Sequence, residues 1–194
     1  MKILSQRKGF DCDHSSVNYE FISDNKISDE AREFAKKSSH SFKIGRNKLE
    51  ITIHGESYLS DHIQDALLEK YSIPLLIYED YDWWNFLLMF DYEEKLMKNL
   101  ENYDDIGCDH TINVTKKDQK IEFWITVHID CTYFDDDPFE ELGNMFLDIR
   151  KDILENNLES LEILKKYCEE EDLSGIKPTS ELCKKLISSL SKDW

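Results

Sequence analysis

The chain has 194 residues and a net charge of −17, from 41 acidic and 24 basic side chains. With 40% hydrophobic and 12% aromatic residues it carries enough apolar mass for a core, which excludes a disordered chain. The charge repels phosphate backbones and anionic lipid, so it argues against direct nucleic-acid or membrane binding and favours a basic protein partner.

In chain order, the first regular element is a strand over 17–22, with Val17, Tyr19 and Phe21 on one face. Ser28 opens a helix to Ser38, since Asp29 and Glu30 follow where the helix dipole favours acids. Residues 48–54 alternate, with Leu49, Ile51 and Ile53 inward. Ser60 is placed as the cap of a second helix, with Ile63, Ala66, Leu67 and Tyr71 as its buried stripe. Strands follow over 74–79 and 83–90. The second is apolar on both faces and is therefore expected in the middle of the sheet. A helix over 92–103 leads to a hairpin, 111–115 and 120–129. Placing Lys117 and Asp118 at its tip pairs Val114 with Ile121, Ile112 with Phe123 and Asn113 with Glu122. Asp137 and Pro138 start a long helix, whose core stripe is Phe139, Leu142, Phe146, Ile149 and Ile153. A helical stretch over 159–169, a polar linker and a last helix from Thr179 or Ser180 complete the chain. Strands first and helices last predict an α+β fold: a largely antiparallel sheet backed by helices, with a helical C-terminal third. One domain is expected over 1–194, with the sheet within 1–135 and the C-terminal helices within 136–194.

Five cysteines, odd in number and widely spaced, predict free thiols in a cytoplasmic protein. Residues 1–10 lack the apolar run of a signal peptide, and the longest apolar run, Phe86–Phe90, is far too short to span a membrane.

Three groups of residues could carry chemistry. The tripeptide Cys-Asp-His occurs at 12–14 and 108–110, so Cys12, His14, Cys108 and His110 offer the four thiolate and imidazole ligands of a structural zinc site. Parity opposes that reading, because Cys108 and His110 align with the core-facing Ile112 while His128 falls on the other face. No zinc is therefore expected. The second group is the polar faces of two strands. If these strands neighbour one another, Glu50, His54, Glu122, Trp124 and His128 share one sheet face, where a histidine–carboxylate pair could act as a general base. An ordinary wet sheet face explains the same residues. The third is the stretch Glu79, Asp80, Tyr81, Asp82 and Trp83, an acidic turn beside aromatics that can grip arginine or lysine by charge and cation–π contact. Trp84, Phe86, Leu88 and Phe90 are assigned to the core, leaving Tyr81 and Trp83 to reach solvent. No P-loop, nucleophile elbow, zincin or calcium-loop pattern is present, and no cofactor is expected.

The stretch MKILSQRKGFDCDHSSVNYEF, centred on His14, Ser15 and Ser16, the DYDWW at 80–84 and the LDIRKDILENN at 147–157 resemble a group of small bacterial proteins of unassigned role. More distant members of that group occur beside SWIM zinc-finger proteins, although this chain lacks the Cys-x-Cys of such a finger. The resemblance implies a bacterial cytoplasmic protein and no particular chemistry. The residues themselves favour an acidic protein-binding module, such as an immunity protein or inhibitor directed at a basic, nucleic-acid-directed toxin or enzyme. The alternative is an enzyme or metal-binding domain built on His54, His128 and nearby carboxylates, or on the Cys-Asp-His pairs.

Overall fold

A computed structural model of the chain describes residues 16–38, 41–54, 58–80, 83–129 and 138–190. The fold is α+β. Seven antiparallel strands form one sheet: β1 (Ser16–Ile22), β2 (Phe42–Ile44), β3 (Lys48–His54), β4 (Leu75–Asp80), β5 (Trp83–Asp91), β6 (Thr111–Lys117) and β7 (Lys120–His128). Their spatial order is β2-β3-β1-β4-β5-β7-β6. Helices α1 (Asp29–Ser38), α2 (Asp61–Asp65) and α3 (Glu94–Leu100) lie between strands, and α4 (Pro138–Leu154), α5 (Glu159–Glu170) and α6 (Glu181–Leu190) follow the last one. None of the described helices is long and apolar enough to cross a membrane.

Apolar residues on both sides of the sheet place the core in two layers. One cluster gathers Phe86, Phe90, Phe123, Ile125 and Ile112 with α3, α4, α5 and α6. The other gathers Tyr19, Phe21, Leu49, Ile51, Leu76, Leu87 and Met89 with Ala31 and Ala35 of α1 and Leu67 and Leu68 after α2. Successive side chains point to opposite faces, so β4 and β5 contribute to both clusters. Leu87 and Leu88 are both buried, as the two-sided apolar pattern of that strand requires. The layers are offset diagonally, which leaves the outer face of β7 and β6 polar on one side and that of β3 and β1 polar on the other.

Local chemistry sets the element ends. Ser28 Oγ accepts the Ala31 amide at 3.1 Å, and Ser180 Oγ accepts that of Cys183 at 3.0 Å. Ser60 differs from expectation. Its hydroxyl makes no capping bond, and its carbonyl instead accepts from Ile63 and Gln64. The helix it precedes widens into a π-helical turn over Ala66–Lys70, a geometry often found where a helix must re-aim side chains. Asp137, placed as an N-cap, lies outside the described residues, while Pro138 is the first residue of α4.

The hairpin register is two residues away from the one predicted. Val114 pairs with Phe123, Ile112 with Ile125 and Lys117 with Lys120, leaving Asp118 and Gln119 at the tip. Asp118 adopts a left-handed φ of 52°, a conformation aspartate tolerates in tight hairpins. A shift of two preserves side-chain parity, so apolar still faces apolar.

Candidate functional site

Residues of five elements converge at one end of the sheet, where β4 stops and β5 starts. Trp83 is half-buried and pairs directly with His128, their rings 5.7 Å apart and edge to face. His110 precedes β6. Since β6 begins only at Thr111, the His110 side chain takes the place of a ladder partner, and its Nδ1 accepts the His128 amide at 3.2 Å. Its ring lies 5.4 Å from that of Trp83 and 4.7 Å from that of Tyr167 on α5. The acceptor role of Nδ1 places the neutral-state proton on Nε2, which faces Glu171 Oε1 at 3.7 Å.

Burial pushes the His110 pKa below its ordinary value, and His128 adds to this, although Glu171 and Asp109 pull the other way. The imidazole is thus neutral at physiological pH. Burial, then Glu171, raises Tyr167 to about 12, and burial, then Glu169, raises the Cys168 thiol to about 12. Both stay protonated. Glu171 itself is 63% exposed at the end of α5. The result is an aromatic and imidazole cluster with an exposed acidic rim, suited to gripping a cationic side chain.

The residues singled out from sequence are distributed differently from expectation. Asp80 pairs with Trp83, whereas Glu79 pairs with Trp84 and so belongs to the opposite face. Tyr81 and Asp82 lie outside the described residues. In place of one five-residue platform, Trp83 has His110, His128 and Tyr167 as neighbours. Sequence reading missed Tyr167 and Glu171. Their only signal was a tyrosine in the apolar stripe of 159–169 followed by an acidic run.

The polar sheet face assembled from Glu50, His54, Glu122, Trp124 and His128 is overturned. Glu50 aligns through Glu20, Ile77 and Phe86 with Ile125, while Leu49 aligns through Phe21, Leu76 and Leu87 with Trp124. Glu50 and His54 therefore face opposite to Glu122, Trp124 and His128, with β1, β4 and β5 between the two strands. They form no common site. Glu50 pairs with Lys43 and Glu20 with Lys48, the latter at 2.9 Å.

The zinc alternative is likewise not assembled by the described residues. Cys108 is exposed and His110 buried, with Nδ1 of His110 already engaged. Cys12 and His14 lie outside the described residues. Among the described residues, one group of three metal-type ligands occurs elsewhere: Asp65, Glu69 and Glu122, whose oxygens lie within 4.8 Å of one another. The Lys117 ammonium occupies their midst, at 2.6 Å from Asp65, 2.9 Å from Glu69 and 3.5 Å from Glu122. Desolvation opposes its charge, but the bonds to Asp65 and Glu69 and the field of Glu122 outweigh that and raise its pKa above the ordinary lysine value.

Lys117 thus acts as a tethered cation pinning the hairpin to the π-helical turn. Removing it by Lys117→Ala is expected to cost about 1–2 kcal/mol, limited by partial exposure. It should also leave a carboxylate trio able to take a hard divalent ion. Thermal melts should show the variant, and not the wild type, regaining stability in millimolar calcium. Equal calcium response in both proteins would count against the tethered-cation account.

No protein-family model, curated protein or solved structure matches this chain.

Proposed function

We propose that the protein is a binding module whose acidic, aromatic sheet end engages a basic protein. The reading extends to an immunity or inhibitor role against a basic toxin or enzyme that itself acts on nucleic acid. The observation that carries it is Trp83, half-buried and backed by His110 and His128, beside the exposed carboxylate of Glu171 on a chain of net charge −17. A rigid aromatic anchor supplies contact area at low entropic cost, and the surrounding carboxylates select arginine or lysine. The overall charge adds long-range steering and accelerates encounter with a cationic partner.

The test is capture of binding proteins from the native host, followed by kinetics on the recovered partner with two variants. Trp83→Ala should raise the dissociation rate ~30-fold, the size of a hot-spot loss. Asp80→Asn combined with Asp82→Asn should slow association and flatten its salt dependence. Thermal melts of each variant separate loss of contact from loss of fold. Recovery of no basic protein, or wild-type kinetics from both folded variants, would refute the reading.

A further inference from the structure

The two edges of the sheet are finished in different ways. At the β6 edge, the outward-pointing amides are satisfied by the chain itself. Ile112 exchanges both main-chain bonds with Ile106, at 3.0 and 3.1 Å, and the Val114 amide donates to Asp104 Oδ1 at 2.7 Å. Such covering is how proteins prevent an edge from recruiting another strand. The β2 edge has no comparable cover. Thr52 donates to the Ser41 carbonyl and Gly45 to that of Lys48, so residues 41, 43 and 45 bond toward β3. By alternation, the N–H and C=O of Phe42 and Ile44 point away from the sheet. Among the described residues nothing pairs with them.

Beside this edge runs a groove of about 230 Å³, lined by Asp29, Arg32, Glu33 and Lys36 of α1 and by Ile44 of β2. Arg32 fixes its width by donating to the carbonyls of Gly45 and Arg46, both at 2.8 Å. Phe42 and Ile44 present their side chains on the face that α1 covers, and Phe42 is 36% exposed. An open edge strand flanked by a helix is the geometry in which peptides bind by strand addition. Charge identifies the occupant. Residues 26–48 carry seven basic and three acidic side chains, a basic island in a chain of net charge −17.

We propose that the groove between α1 and the open edge of β2 takes an extended acidic segment of a partner protein, added as an eighth strand. Phe42 and Ile44 supply the main-chain bonds, and Lys36, Lys37 and Arg46 select for carboxylates. This surface is distinct from the sheet end built around Trp83, and its test uses a different probe.

A blocked heptapeptide alternating glutamate with valine, titrated into the nitrogen-15-labelled full chain, should shift the Phe42 and Ile44 amides and slow their exchange. The lysine-for-glutamate peptide should bind roughly tenfold more weakly. Ile44→Pro removes an outward N–H without touching the β2–β3 ladder, and should abolish peptide binding while melting near the wild type. If that variant fails to fold, Lys36→Glu with Lys37→Glu, both at exposed positions, should invert the preference between the two peptides. Unmoved Phe42 and Ile44 amides at millimolar peptide would overturn the proposal. So would equal binding of the two peptides, or sedimentation showing the same edge occupied by a second copy of this chain.

Discussion

Phe146→Ala is expected to lower stability by about 3–5 kcal/mol, a large share of the roughly 5–15 kcal/mol that holds a typical domain together. Phe146 lies on the buried stripe of α4, fully excluded from solvent, and its ring stacks on Phe86 with centroids 3.6 Å apart and planes 13° from parallel. Truncation deletes the aromatic surface that joins the central strand to the longest helix. Close packing from both sides leaves little room for collapse, so the transfer loss and the cavity add. Urea denaturation followed by far-ultraviolet circular dichroism should show a lower midpoint with an unchanged slope. A loss below about 1 kcal/mol would mean that α4 is not docked on β5 as described.

Gly107→Ala is expected to be comparably severe for a different reason. Gly107 has φ +83°, and a β-carbon there would lie 1.8 Å from the His110 carbonyl oxygen and 3.0 Å from that of Cys168. Both obstacles are main-chain atoms, so no rotamer change relieves the clash. The turn must open, and His110 must leave the space between Trp83 and Tyr167. Gly175 provides the comparison, because it has nearly the same φ, +82°, but nothing within 4 Å of its virtual β-carbon. Gly175→Ala should cost only the left-handed strain of about 1–2 kcal/mol, and Gly107→Ala about 3 kcal/mol or more. Thermal melts of the pair measure the difference, and Trp83 fluorescence should change in the Gly107 variant alone. Equal losses in both variants would show that His110 is not held as described.

The difference between what the sequence revealed and what it hid follows from range. Alternation is a local property, so the inward residues of β3, β5 and the hairpin were legible, and even a register error of two left every side chain on its correct face. Strand order is not local. Nothing in residues 48–54 or 120–129 says that β1, β4 and β5 come between them, or that the alternation of Glu50 and that of Trp124 refer to opposite sides of the sheet. The cluster at Trp83 shows the same limit. His128 is its cross-strand partner and His110 begins the neighbouring hairpin arm, but Tyr167 arrives from a helix far along the chain, placed there by burial. β2 escaped notice because three residues are too few to display a period.

The diagonal placement of the two cores bears on how this protein can vary. Only β4 and β5 are packed heavily on both faces, so a substitution on α1 or the turn after α2 meets a different set of neighbours from one on α5 or α6. Residues without shared partners contribute independently. Lineages of such a chain can therefore remodel the α1 side while the α4–α6 side stays fixed, or the reverse. The two strands in the middle, answerable to both, are the part left with least freedom to drift.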